Sequence, residues 1–140
     1  MLFKFENKLR EFIKNKLIEY YSKEKGYSKG DWYLKGIPKS ILERIKEEKD
    51  NPNSFLYKVK IEYPIEYLNI PDYKRIIETN WNNIFGKKFK NKGLLTKIKQ
   101  NLENLIIPRN KIAHFIRLPE DDIKILENSC VLIKNTISKL

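Results

Sequence analysis

With 140 residues, 41% hydrophobic and 34% charged, the chain is long enough to bury one core, too short to divide into two, and too apolar for a disordered segment. No stretch approaches the ~20 apolar residues of a membrane span, and the amino terminus MLFKFENKLREF mixes charges into its first turns instead of building a signal-peptide block, so a soluble cytoplasmic protein is expected. A formal charge of +11 favours a polyanionic partner such as RNA, DNA or an anionic surface, although 24 of the 29 basic residues are lysine in a chain also rich in Ile and Asn, a bias that codon usage alone produces.

In chain order, Leu2, Phe5, Leu9, Phe12, Ile13, Leu17 and Tyr20 recur at steps of three and four, which predicts an amphipathic helix over 2–23 with lysines outside. The segment KEKGYSKGDWYLKGIP carries three glycines and a proline and reads as a loop whose Trp32, Tyr33 and Leu34 cover apolar surface. Pro38 and Ser40 lead into a short helix, SILERIKEEKD, stopped by the Asp-Asn-Pro-Asn turn at 50–53. From Phe55 the pattern changes: Phe55, Tyr57, Val59, Ile61, Tyr63, Ile65 and Tyr67 fall on alternate positions, the period of a strand. No second alternating run exists to pair with it and Pro64 removes a ladder donor, so the segment reads as an extended crossover near 55–67, with a strand paired to another subunit as the alternative.

Residues 71–83, PDYKRIIETNWNN, return to helical spacing through Tyr73, Ile76, Ile77 and Trp81, with Pro71 suited to a helix start. The basic turn GKKFKNKG at 86–93 precedes a long helix with Leu94, Leu95, Ile98, Leu102, Leu105 and Ile106 on one stripe. Pro119 opens a last helix with Glu120, Asp121 and Asp122 in its first turn, where the macrodipole favours acids, and a seam of Ile123, Leu126, Cys130, Ile133, Ile137 and Leu140. The sum is one all-α domain, 1–140, a helical bundle of about five helices. The single cysteine, Cys130, cannot form an internal disulfide, no Cys/His cluster exists to hold zinc, and neither a metal nor another cofactor is expected.

One stretch breaks the helical logic. In LIIPRNKIAHF, 105–115, the stripe of the long helix continues at ~100° per residue onto Arg109, within about 20° of Ile98. A guanidinium on a core stripe is costly unless it has a partner, so either Pro108 breaks the register or the stripe runs out into a cleft that receives an anion. Asn110 and His114, four apart, share a face, and Arg109 is long enough to bend toward them if the helix kinks. A fork of donors, an amide and an imidazole suit a phosphate and a proton transfer. The bland alternative is a histidine that caps carbonyls at a helix end.

Arg109-Asn110-Lys111-Ile112-Ala113-His114 resembles the arginine, polar residue, then histidine signature of the HEPN (higher eukaryotes and prokaryotes nucleotide-binding) superfamily. The order around it is similar too: YLNIPDYKRIIETNWNNIFG, a basic turn, a long helix ending in RNKIAH, then RLPEDDIKIL and a final helix, roughly residues 66–140. Residues 1–65 match only as generic helix and loop, and Pro108 departs from the pattern.

The resemblance implies an all-helical, usually dimeric, metal-independent endoribonuclease of the kind found as toxins or defence effectors, with its site at the subunit interface. It assigns proton transfer to His114, the phosphate clamp to Arg109 and an orienting role to Asn110, and suggests an antitoxin or a larger effector complex as a partner. Lys87, Lys88, Lys90 and Lys92, interleaved with Phe89, together with Lys111 are candidate RNA contacts in a supporting role, although a solvated turn is the simpler explanation of the lysine run. The alternative function is a catalytically silent HEPN-type RNA- or nucleotide-binding or dimerisation module serving another enzyme.

Overall fold

The computed structural model describes residues 2–22, 32–60, 64–87, 92–114 and 116–139, with the side chains of Phe3 and Lys92 outside that description. Helix α1 (Leu2–Tyr21) is amphipathic as its spacing demands: Phe5, Leu9, Ile13, Leu17 and Tyr21 form one buried i, i+4 stripe. Tyr20, expected on that stripe, is half-buried, because a step of four from Leu17 selects Tyr21. The Tyr21 hydroxyl donates to Asn80 Oδ1 at 2.7 Å, and Asn80 Nδ2 donates to the carbonyls of Gly36 and Ile76, each at 2.8 Å. Every polar atom of this buried amide is thus satisfied, and the amide ties three separate parts of the chain together.

Of the expected loop 23–38, residues 23–31 lie outside the described residues, and the remainder is not all loop. Trp32–Gly36 form a short helix, α2, packed on α1. Trp32 is buried with Tyr33 edge-on to it at 5.8 Å, whereas Leu34 is 58% exposed. Burial of the indole outweighs the weak helical propensity of a turn ending in glycine. A Cβ at Gly36 would meet the Leu17 side chain at 2.8 Å, so the glycine lets α2 lie close against α1.

Helix α3 (Lys39–Asp50) buries Ile41 and Ile45. The segment after it is not extended. Ser54 N bonds Asn51 O, Leu56 N bonds Ser54 Oγ at 3.1 Å, and Asn53 N bonds Asn51 Oδ1 at 3.0 Å, so consecutive turns satisfy their own backbone. Lys58 takes a left-handed φ of 58°, which ends any extended run. The alternation also fails: Leu56 is the buried residue, while Phe55 is 91% exposed. Pro64–Tyr67 close a 3-10 turn that buries Ile65, Ile61 and Tyr63 lie outside the described residues, and no strand occurs among those described.

Helix α4 (Ile70–Thr79) starts on a capping box: Asn69 Oδ1 accepts from Asp72 N and Asp72 Oδ2 from Asn69 N, both at 3.1 Å. Arg44 of α3 grips the same Asp72 carboxylate with two bonds of 2.8 and 2.6 Å, fixing α3 to the start of α4. The helix expected to run on to residue 83 instead ends at Thr79, capped by Asn80, and Trp81–Phe85 form a π-helical turn that buries Trp81 and Phe85.

Helix α5 (Lys92–Ala113) buries Ile98, Leu102 and Leu105, and α6 (Glu120–Ile137) buries Leu126, Cys130 and Ile133 mainly against it. Ile123, expected on the α6 seam, is 40% exposed, and Leu140 lies outside the described residues. Among the described residues, five helices of ten residues or more, α1, α3, α4, α5 and α6, with the shorter α2, make the all-α bundle around a cluster of buried side chains. No helix among the described residues is long and apolar enough to cross a membrane.

Candidate functional site

Pro108 does not end α5. The helix is continuous to Ala113, and Pro108 is itself buried on the core side, one turn beyond Leu105. The stripe therefore keeps its register up to Arg109, and the cost of a guanidinium there is met in a way the sequence did not indicate. Arg109 Nε donates to Glu6 Oε1 of α1 at 2.9 Å. The Glu6 side chain is 14% exposed and that of Arg109 35%, so the pair sits at the edge of the core and stays open to solvent on the arginine side. The anion that the stripe receives is a carboxylate of the same chain.

Beside the guanidinium lies a pocket of about 180 Å³, lined by Asn69, Ile70 and Pro71 at the start of α4 and by Ile106, Arg109 and Asn110 near the end of α5. Its lining combines three aliphatic residues, Ile70, Pro71 and Ile106, with two amides and a guanidinium. The start of α4 that forms one wall is fixed from two further sides: the Asp72–Arg44 pair, and Arg10 Nε donating to the Tyr73 hydroxyl at 2.8 Å while that hydroxyl donates to Leu68 O at 3.0 Å. Burial pushes the Tyr73 phenol pKa up, opposed by the Arg10 hydrogen bond, so the tyrosine is held as a neutral donor.

Asn110 and His114 are both exposed and share a face of the last turns, where His114 N bonds Asn110 O at 3.1 Å. The His114 imidazole makes no hydrogen bond to another described residue, so it neither caps carbonyls nor fills core. The three motif residues meet only in part. Arg109 and Asn110 line one pocket, but Arg109 turns toward α1 instead of bending toward His114, which stands outside that lining.

The candidate RNA contacts divide as well. Lys111 Nζ is bound to Asp122 Oδ2 of α6 at 2.6 Å, which places its charge against a carboxylate. Lys87 is exposed, whereas Lys88, Lys90 and the Lys92 side chain lie outside the described residues. Of the acidic trio, Asp122 belongs to that ion pair and all three sit in the first turn of α6; no group of three or more metal-binding side chains occurs among the described residues. Burial pushes the Cys130 thiol up to about 11, which makes it a core residue and not a nucleophile.

Sequence reasoning missed Glu6 and the Asn69–Pro71 wall. Glu6 lies 103 positions from its partner, and nothing in its neighbourhood distinguishes it from the other acids of an amphipathic helix. For Asn69 a signal existed, since Asn-x-x-Asp before an apolar run is a capping box, but the cap by itself says nothing of a ligand. Compared with known protein families, curated proteins and solved structures, the chain matches none.

Proposed function

We propose that this protein is an HEPN-type, metal-independent endoribonuclease, a toxin or defence effector in cellular terms, that cleaves RNA by internal transesterification. The observation that carries the reading is an exposed, unengaged His114 imidazole one turn beyond the exposed Asn110 amide, next to a pocket that Arg109 lines while its Nε is held by Glu6. In the reaction, a base removes the 2′-hydroxyl proton, the 2′-oxygen bonds to phosphorus, the bond from phosphorus to the 5′-oxygen breaks, and an acid returns a proton to that oxygen. His114 has the chemistry for proton transfer near neutral pH. The outer nitrogens of Arg109 can stabilise charge on the phosphorane while its Nε stays anchored, and Asn110 can orient a phosphate oxygen.

A base and an acid are both required, and the chain owns one histidine. A two-fold homodimer that brings two His114 side chains to one phosphate solves this. Exposed apolar residues around the motif support it: Ile107 at 64%, Ile112 at 42% and Ile116 at 55% give the end of α5 a surface suited to a second copy.

The test is purified protein with total RNA, with and without EDTA, followed by analysis of the ends. The expected result is cutting that survives chelation and leaves 2′,3′-cyclic phosphate and 5′-hydroxyl termini; loss of all cutting on chelation rejects the mechanism. Mixing wild-type with an excess of His114→Ala chains checks the shared site. Activity per wild-type chain should fall with the wild-type fraction, whereas constant activity while mixed dimers form means each subunit is complete.

A second reading, a silent module that binds RNA or a nucleotide for another enzyme, is favoured by the fact that the pocket takes in Arg109 and Asn110 but not His114. That protein would bind RNA and leave it intact.

A further inference from the structure

We infer that the ion pair between Lys111 and Asp122 positions His114: it holds the turn that carries the imidazole, and Lys111 does not itself contact the RNA. The role rests on the reading of His114 as the proton-transfer group, and adds what keeps that group in place.

The His114 side chain is exposed and makes no hydrogen bond to another described residue, so its position is set by the backbone of its turn. Helix α5 ends at Ala113 and α6 begins at Glu120, and His114 opens the connector between them. Two backbone bonds fold that connector onto the helix end: His114 N donates to Asn110 O at 3.1 Å, and Ile116 N donates to Lys111 O at 2.8 Å. The carbonyl of Lys111 is thus one root of the turn. Little else holds this end of α5, since no residue from Arg109 to Ala113 is buried.

The side chain of the same lysine crosses to α6. Its Nζ lies 2.6 Å from Asp122 Oδ2, with 32% of the lysine side chain and 21% of the aspartate side chain exposed. The pair joins positions 11 apart and closes the connector into a loop that contains His114. The macrodipole alone favours an acid in the first turn of α6, but the exposed Glu120 and Asp121 already supply that, and Asp122 is the one of the three that reaches α5. A partly exposed pair adds little to global stability. What it adds is geometry, and a misplacement of about 1 Å is enough to slow a reaction by about 10²-fold.

The alternative role for Lys111, a direct bond to an RNA phosphate, predicts the opposite sign at its partner. Asp122 would then compete with the phosphate, and removing it would strengthen RNA binding. In a positioning pair, loss of either member does the same harm.

The test is steady-state cutting of single-stranded RNA by wild type, Lys111→Met, Asp122→Ala, Asp122→Asn and the double variant Lys111→Met/Asp122→Ala, beside melting curves and amide hydrogen exchange. Lys111→Met and Asp122→Ala should each lower kcat about tenfold with KM within about twofold of wild type, and the double variant should lose no more than either single one. Asp122→Asn, which keeps an oxygen that accepts from Nζ, should recover part of kcat. The His114 and Ile116 amides should exchange about fivefold faster in Lys111→Met, with Leu102 and the melting temperature unchanged. Tighter RNA binding or faster cutting by Asp122→Ala, an effect of Lys111→Met confined to KM, or wild-type exchange at His114 and Ile116 in Lys111→Met each overturn the role. Cutting that both single variants retain in full removes the positioning role and leaves the ribonuclease. A wild type that cuts no RNA removes the ribonuclease, and the exchange rates then decide whether the pair holds the turn.

Discussion

Between Leu94 and Leu105 the apolar residues of α5 are all buried or half-buried, and Ile98, Leu102 and Leu105 are fully enclosed. From Ile106 to His114 the same helix, with the same period, presents Ile107, Asn110, Ile112, Ala113 and His114 to solvent and keeps only Pro108 inside. The earlier turns are determined by what α4 and α6 place around them. The later turns are held more loosely, by the start of α4 across the pocket, by the Lys111–Asp122 pair to α6 and by the bond from Arg109 to α1. A helix that continues beyond its core exposes side chains whose identity stability does not decide, and those are the residues on which a chemical function can act.

Substitutions in the two segments should separate along that line. The largest effect expected is on catalysis: His114→Ala should lower RNA cutting by about 10²–10⁴-fold, the usual weight of a proton-transfer group, with stability changed by less than about 0.5 kcal/mol. Melting curves run beside the cleavage assay check it, and an unfolded variant would return His114 to a structural role. Leu102→Ala should do the reverse, costing about 2–5 kcal/mol of stability while whatever protein remains folded cuts at the wild-type rate.

The boundary between the segments is Arg109. Because a third of its side chain is exposed, loss of its partner in Glu6→Ala should cost only about 1 kcal/mol of stability. Cutting should fall further than that destabilisation explains, mainly through kcat, as the guanidinium loses its anchor; Glu6→Gln, which keeps an acceptor for Nε, should recover part of it. Arg109→Lys should fold and fail to cut, since a point charge cannot hold Glu6 and two phosphate oxygens together. A fully active lysine variant would take Arg109 out of the site.

Smaller still is the expected contrast between two lysines. Lys87→Ala should reduce the salt dependence of RNA binding by about one counterion. Lys111→Ala should change it less, because Asp122 already balances that charge. Last, Cys130 should resist alkylation in the folded protein at neutral pH and react only on unfolding, because its buried thiol is held at about 11.

The sequence by itself determined the helices that have a long apolar period, the proline starts of α4 and α6, and the placing of Arg109 and Asn110 in the last turns of one helix with His114 just after it, because each depends on residues within a few positions of one another. It misread 55–58 and 64–67, where an alternating pattern promised extension; the side chains of Asn51 and Ser54 satisfied the backbone locally, and Leu56 docked in place of Phe55. It also read the Trp32 segment as loop, since the gain from burying an indole depends on the surface that receives it. The partner of Arg109 and the wall formed by Asn69, Ile70 and Pro71 were decided only by the tertiary structure. Both need chain segments distant in sequence to pack side by side, and no periodicity within one segment records which carboxylate or which helix start will arrive opposite.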